Sequence, residues 1–370
     1  MHAQFIQEFT ARSPTSIVPF IPELQPEKDT RTFPPSIDHS TPSDELASFM
    51  KMQELILEKQ KNNEPFFIGR ISGNEPYLCS IYRKCGDVPD WLMRNMLFGA
   101  GIQFLNKMDL EDYVDKYTRS FEMCDLVGVW SGGPMYTQGY EFYEYISSRS
   151  DKLTYEDKSS PFASLNNVSL RGPYAPLIDS ERRAGLAPLW VPICAASLEP
   201  FQYMNDERFA YAKIFENKKV LILTSHSKTI KSQLNKRDKL FTKPIFSEST
   251  KIFVHKTPQQ NAGNHDERSW KLHFDKLKTE IDKIKNGFFD FDIALVSCGG
   301  FGMPISHYIR TELGKSVIYV GGVLQLYFGV MGGRWEQSEK IRPMVNEHWT
   351  RPLDIDKPLN PEFCERSCYW

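Results

Sequence analysis

The chain lacks the features of a membrane or nucleic-acid-binding protein. It has no run of 18 or more apolar residues, the length that a spanning helix requires. Residues 1–4 contain neither a basic segment nor an apolar one, so we expect no secretory signal. The 45 basic and 47 acidic residues leave a net charge of −2, which gives no overall attraction to nucleic acid. We therefore expect a cytoplasmic protein without a membrane span and without a nucleic-acid partner.

Cysteine is also scarce, with seven residues in 370 and one close pair, Cys364 and Cys368. An odd number of cysteines without a secretory signal indicates reduced thiols in the cytosol. No second cysteine or histidine pair stands at zinc-finger spacing, so we expect no structural zinc.

Two common nucleotide-binding motifs are missing. The sequence contains no GxxxxGK[ST], which excludes a P-loop enzyme. The glycines at 299–302 lack the GxGxxG order, and no acidic residue follows about twenty positions later to bind a ribose. A dinucleotide-dependent dehydrogenase is therefore disfavoured.

What the chain does contain is enough apolar material for a large core. Hydrophobic residues make up 41% and aromatic residues 13% of the sequence. Residues 1–40 are rich in proline, serine and threonine, which predicts an extended N-terminal arm. We expect 41–370 to form a single large domain. Polar residues and prolines at about 148–190 predict an insertion or lid within it.

Strand-like and helix-like patterns alternate along this domain. Short β-branched or apolar runs occur at 66–71, 126–130, 220–224, 252–255, 293–297 and 317–320. Helical patterns occur at 110–121, 141–147, 269–285 and 304–313, and Thr41 with Pro42 predicts the start of an earlier helix. Such alternation predicts an α/β fold in which helices cover both faces of a mostly parallel sheet.

The loops after the predicted strands share one composition. They hold glycines, small hydroxyl side chains and a few charges, at 70–75, 131–134, 225–228, 256–260, 298–302 and 321–322. In open parallel sheets ligands bind beyond the carboxyl ends of the strands. Backbone amides at glycine turns and helix N-termini favour anions, which indicates a phosphate-bearing ligand, a nucleotide above all. The alternative is that these glycines only form tight turns.

Four segments together resemble glycosyltransferases of the GT-D fold. They are RISGNE (70–75), SHSKTIKSQL (225–234), VSCGGFGMPISHYI (296–309) and GGVLQLYFGVMGGRW (321–335). The chain is more similar still to uncharacterised bacterial and large-virus members that end in Cys-Tyr-Trp, here Cys368-Tyr369-Trp370. The resemblance covers about 65–370. It implies a Rossmann-like domain that transfers a sugar from a nucleotide-sugar donor, commonly a UDP-sugar, to a saccharide hydroxyl in glycan synthesis.

The resemblance leaves the metal requirement open. The family motif after the first strand is Arg-Phe-Gly-Asp-Gly-Glu, and its Asp-x-Glu helps to hold Mn²⁺ and the donor diphosphate. Arg70 and Glu75 keep the outer positions here, but Gly73 replaces the aspartate. Mn²⁺ or Mg²⁺ therefore remains possible, with Glu75 as its one ligand. Glu75 could instead serve as general base, or as a carboxylate at a helix start.

From the loops and the resemblance we predict two catalytic residues, Glu75 and His226, although a histidine at a strand end is often only a hydrogen-bonded polar group. The predicted donor-binding residues are Arg70, Gly73, Asn74, Ser225, Lys228, Gly299, Gly300, Gly302, Gly321, Gly322 and Gln325. Trp370 could stack on a ring of the ligand or only pack. Two other functions fit the same pattern: a non-catalytic nucleotide-sugar or glycan-binding protein, and a different nucleotide-using enzyme, such as a polysaccharide-modifying transferase.

Overall fold

The computed structural model describes residues 42–129, 189–192, 211–364 and 367–370. The predicted N-terminal arm, the loop at 131–134, the helix at 141–147 and nearly all of the insertion lie outside the described residues. None of the described helices is both long and apolar enough to cross a bilayer.

The described strands form one seven-stranded sheet in which every pairing is parallel. The strands are β1 (Phe67–Arg70), β2 (Leu126–Val129), β3 (Leu189–Pro192), β4 (Lys219–Thr224), β5 (Lys251–Lys256), β6 (Ile293–Ser297) and β7 (Ser316–Tyr319). Their order across the sheet is β3-β2-β1-β7-β6-β4-β5. The six predicted strands are confirmed. The edge strand β3 was not predicted, and it takes up the last residues of the expected insertion.

The described helices connect or flank these strands. They are α1 (Pro42–Lys61), α2 (Asn74–Cys85), α3 (Asp90–Asn95), α4 (Lys107–Glu122), α5 (Tyr211–Phe215), α6 (Ser227–Gln233), α7 (Trp270–Gly287) and α8 (Gly302–Thr311). A π-helical turn, Met96–Ala100, continues α3. All four residues of β7 and the first four of β6 are buried, so both faces of the central sheet are covered. This is the α/β, Rossmann-like architecture that the sequence pattern predicted.

Helix starts and packing follow from the sequence. Asn106 caps α4, since its side chain accepts the Asp109 N–H at 2.9 Å. One face of α4 carries Tyr113 and Tyr117, which stack at 5.9 Å between ring centroids. Trp270, the first residue of α7, meets Tyr113 edge-to-face at 5.1 Å. These fully buried rings fix α4 and α7 beside the carboxyl ends of β1 and β6.

After β7 the chain contains several 3₁₀ turns, the longest being Gly321–Phe328. We call residues 351–364 and 367–370 the C-terminal strap. Its turn Asp354–Asp356 contacts α6, and the Asn360 N–H donates to the Ala262 carbonyl at 3.0 Å in the loop after β5. The strap therefore runs across the carboxyl ends of the strands, where the ligand crevice of such a sheet lies.

The direction of the crossovers locates that crevice more closely. The chain leaves β4 towards its neighbour β5 and leaves β6 in the opposite direction, towards β7. The gap between β4 and β6 is therefore a topological switch point, the usual ligand position in open α/β sheets.

Candidate functional site

Arg70 is the last residue of β1, and its guanidinium reaches across to β7. Nη1 donates to the Val320 carbonyl at 3.2 Å, and the guanidinium carbon lies 5.6 Å from the centroid of the Tyr319 ring. The guanidinium packs against Gly321, where an added Cβ would overlap it and where φ is +73°. The positive φ favours glycine at this turn, whereas the overlapped atoms belong to the flexible end of the Arg70 side chain. The turn after β7 holds a cation in place beside the end of β1.

Glu75 lies in the first turn of α2, next to Arg70, and only 4% of it is exposed. Burial raises the pKa of this carboxyl, although Ser72, two backbone amides and Arg70 act in the opposite direction. The half-exposed Ser72 hydroxyl hydrogen-bonds the Glu75 carboxyl and also lies 3.2 Å from the Tyr117 hydroxyl. A buried carboxyl with a raised pKa beside a cation suits proton transfer.

Two further phenols enclose this acid–cation pair. Tyr113 donates to the Gly300 carbonyl and Tyr319 to the Gly299 carbonyl, both at 2.9 Å. Burial, and then the nearby Glu75 charge, raise the pKa of each phenol, so both stay protonated. They connect the loop after β6 to the pocket of Glu75. Sequence reasoning missed them because buried tyrosines give no signal that separates them from core residues.

Gly73 is the N-cap residue of α2, and Asn74 is the first residue of that helix. Gly73 has φ −86° and ψ −52°, a conformation open to any residue, so the backbone does not require glycine there. The Asn74 amide lies near Gly99, where an added Cβ would be 3.4 Å from Nδ2. Both residues are half-exposed beside Glu75.

The groups around Glu75 do not suit a divalent cation. Mg²⁺ and Mn²⁺ prefer several carboxylate or other oxygen ligands, whereas the charged neighbour of Glu75 is the Arg70 guanidinium. Within the ranges that the structure describes, no three His, Cys, Asp or Glu side chains are arranged to hold a metal. The described oxygen donors therefore do not reproduce the Asp-x-Glu pair of the family motif, since Gly73 stands in place of the aspartate.

A carboxylate from the strap occupies the N-terminus of α6. Asp356 is fully buried and accepts the Thr229 N–H at 2.6 Å and the Thr229 hydroxyl at 2.7 Å. The Lys228 N–H also points to it at 3.4 Å, while the Lys228 side chain is exposed. Negative charge is favoured at a helix N-terminus. The Lys228 amide of the 225–228 loop, and the Thr229 amide that follows it, are therefore directed at the protein's own carboxylate.

His226 precedes α6 and is 6% exposed. Burial lowers its pKa to about 4, against the opposing charge of Asp356, so the imidazole is neutral at pH 7. Nδ1 lies 3.4 Å from the Ser225 hydroxyl, and the ring stacks on Trp370 with centroids 5.9 Å apart. Nε2 has no hydrogen-bond partner among the described residues. His226 can exchange hydrogen bonds with an uncharged group, but it supplies no positive charge to a phosphate.

The other predicted glycines pack against the protein itself. An added Cβ would overlap the Ile102 side chain at Gly300, the Tyr319 ring at Gly302 and the Tyr369 ring at Gly322. Each of these glycines thus has a packing role.

Gln325 is nearly fully buried and holds the C-terminus. Its amide nitrogen donates to the Val330 carbonyl at 3.1 Å and to the Tyr369 carbonyl at 3.2 Å. No described residue is a partner for its Oε1. Gln325 and Gly322, both in the segment 321–335, therefore contact Tyr369 directly.

The predicted residues fall into two groups. One surrounds Arg70 and Glu75 at β1 and β7, and the other surrounds His226 at β4, with Gln325 and the C-terminus beside it. Three strand intervals of about 4.8 Å separate β1 from β4, or about 14 Å. Sequence reasoning missed Asp356, which lies in a 3₁₀ turn far along the chain, and it gave Trp370 only a general capacity to stack.

Comparison with known proteins adds one structural neighbour. No protein-family model and no curated protein matches the chain. A solved structure of the highly conserved domain of unknown function 1792, described as having a distinct glycosyltransferase fold, aligns over 84% of this chain and 96% of its own at 14% identity. The TM-score is 0.37, so the fold assignment stands on the sheet topology and gains nothing from this neighbour.

Proposed function

We propose that the protein is a glycosyltransferase of the GT-D type that acts in the cytoplasm. It takes a nucleotide-sugar donor, first of all a UDP-sugar, and transfers the sugar to a saccharide hydroxyl. The observation that carries the proposal is that Arg70, at the end of β1 and beside the glycine turn after β7, lies close enough to the buried Glu75 for its charge to act on that carboxyl. This arrangement combines the two groups that such a transfer needs, a cation for the leaving diphosphate and a carboxyl for the acceptor proton.

Arg70 stabilises the leaving group in this proposal. A guanidinium binds phosphate oxygens through parallel hydrogen bonds, and a cation that is already positioned lowers the barrier as charge develops on the diphosphate. The contacts with Val320 and Tyr319 keep the side chain oriented. Gly321 leaves the guanidinium room against the backbone.

Glu75 is the general base. The ionised carboxylate takes the acceptor hydroxyl proton while the acceptor oxygen bonds to the anomeric carbon and the bond to the diphosphate oxygen breaks. Ser72, half-exposed and bonded to Glu75, links the buried carboxyl to the surface of the crevice. A raised pKa makes the carboxylate a stronger base than an ordinary glutamate, provided that the pH keeps it ionised.

We further propose that transfer needs no metal, since Arg70 supplies the positive charge and Gly73 stands where the family has its metal aspartate. EDTA should then leave nucleotide release largely intact. Abolition by EDTA and recovery with Mn²⁺ would contradict this part.

A non-catalytic nucleotide-sugar-binding protein is the second candidate. The observation that favours it is that two predicted contacts are engaged by the strap, since Asp356 fills the start of α6 and Trp370 covers His226. Such a protein would bind a donor tightly without turning it over.

The test is a panel of nucleotide sugars, with and without Mn²⁺ and oligosaccharide acceptors, followed by release of free nucleotide. Slow release from one donor is expected, and Glu75→Gln should lower it by about 10²–10⁴. Glu54→Gln, at an exposed glutamate of α1, is the matched control and should retain normal release. Binding without release would support the second candidate, and no binding to any donor would refute the proposal.

A further inference from the structure

The last two residues lie directly on the carboxyl ends of β4 and β7. The Tyr369 ring packs on Gly322, and its carbonyl accepts from the Gln325 amide at 3.2 Å. The Trp370 indole stacks on the His226 imidazole at an interplanar angle of 29°. The Trp370 carbonyl accepts from Arg351 at 3.2 Å. The dipeptide thus covers the β4 side of the crevice, while β1 carries Arg70 on the other side.

The strap is anchored upstream of this dipeptide. Asp356 is fully buried and Cys364 is 2% exposed, and their contacts join the strap to α6, to Asn261 and to Gly99. Residues 367–370, in contrast, are all half-exposed. Displacement of residues 367–370 would therefore expose less buried surface than displacement of the anchored part.

Three buried polar atoms, two beside the dipeptide and one within it, have no hydrogen-bond partner in the described part of the chain. They are Nε2 of His226, Oε1 of Gln325 and Nε1 of Trp370. Such atoms are uncommon in folded proteins, because an unpaired buried polar group costs free energy. His226 and Gln325 offer hydrogen-bonding groups without charge, and the imidazole already accepts a flat ring against its face. An uncharged planar heterocycle with its own donors and acceptors, such as a nucleobase, matches these features.

We propose that Tyr369–Trp370 is an internal occupant of a nucleobase site at the carboxyl end of β4, which the ligand enters by displacing the dipeptide. The proposal rests on the proposed function for the class of ligand and extends it by locating the nucleoside. About 14 Å separates β4 from β1. An extended nucleoside diphosphate bridges such a gap, with its base on His226 and its diphosphate at Arg70.

The size of the effect follows from the competition between dipeptide and ligand. If only a fraction of the molecules has the dipeptide lifted, the apparent dissociation constant equals the intrinsic one divided by that fraction. The His226–Trp370 stack, the contacts of the Tyr369 ring with Trp335 and Arg334, and the hydrogen bonds from Gln325 and Arg351 favour the covered state, each by about 2- to 12-fold. Removing the dipeptide should therefore tighten ligand binding by at least about 10-fold.

The experiment measures uridine and UDP affinities by calorimetry for the full chain, a truncation lacking residues 369–370, and Trp370→Ala. Trp91→Ala, at a 43%-exposed tryptophan of α3, is the matched control. Both tail variants should bind more tightly than the full chain, and the control should not. Trp370→Ala alone decides the matter if the truncation fails to fold. Equal affinity, weaker affinity, or no binding by any variant would overturn the proposal.

A second arm separates this proposal from the proposed function. A Ser-Cys-Tyr-Trp peptide added to the truncated chain should compete with uridine, and His226→Ala should weaken the binding of both. Tighter uridine binding without nucleotide release from any donor would refute the transferase and leave the nucleobase site standing. Nucleotide release from a donor, with a uridine affinity that truncation does not change, would refute the nucleobase site and leave the transferase standing.

Discussion

Asp356 gives the sharpest prediction about what holds the crevice together. Its buried carboxylate receives two short hydrogen bonds from Thr229, at 2.6 and 2.7 Å, and Asp356→Ala removes both. Hydrogen bonds to a charged group contribute about 1.5–3 kcal/mol each. Because the donors stay buried without a partner, the loss should be about 3–5 kcal/mol of unfolding free energy. Asp356→Asn, which keeps one acceptor and loses the charge, should cost about 1–2 kcal/mol.

Urea unfolding at pH 7, followed by far-ultraviolet circular dichroism, measures the loss through the midpoint concentration. Asp354→Ala is the control from the same turn. That side chain is 95% exposed and pairs with Lys357, so its removal should leave the urea midpoint nearly unchanged. Limited proteolysis should also cut the strap faster in Asp356→Ala alone. An Asp356→Ala midpoint equal to that of Asp354→Ala would refute the anchoring role.

Three other variants test the described site. Burial lowers the pKa of His226 to about 4, so protonation favours the unfolded state as pH falls below 6.5. By pH 5 the wild type should lose about 2 kcal/mol of unfolding free energy from this source. Urea unfolding of His226→Gln between pH 7 and pH 5 should show a smaller loss by about this amount. Gly302→Ala should lower the unfolding free energy by about 1–3 kcal/mol, because its Cβ overlaps the Tyr319 ring, whereas Gly287→Ala, with no atom within 4 Å of the added Cβ, should not. Burial raises the pKa of Glu75, so the stability that this carboxyl contributes is present below its unfolded pKa of 4.5 and is lost as pH rises through its folded pKa. Glu75→Gln should therefore be at least as stable as the wild type at pH 7. A markedly lower urea midpoint for the variant would contradict this.

The central strands were predictable because they are short apolar runs that are buried on both faces. Val220, Ile293 and Val317 each begin such a run, and each run became a strand. The helix of Tyr113 was predictable from its apolar stripe. The edge strand β3 was missed, because four residues ending in a proline carry little periodicity.

The position of the candidate site at the strand ends was predictable from the sequence, but the contacts between its side chains were not. Strand ends locate Arg70, Glu75 and His226 because parallel strands end at one edge of a sheet. No local pattern indicates that Asp356 reaches Thr229, 127 positions away, or that Trp370 stacks on His226. Such contacts depend on how the 3₁₀ turns after β7 fold back, and turns of this kind have no periodic signal.

The central claim is that Arg70 and Glu75 perform one reaction in different roles, and steady-state kinetics of nucleotide release from the preferred donor tests it most directly. Arg70→Gln should both raise KM for the donor and lower kcat, because it removes a contact to the diphosphate before and during departure. Glu75→Gln should lower kcat by about 10²–10⁴ with KM nearly unchanged. Normal kcat in both variants, with both folded, would contradict the account.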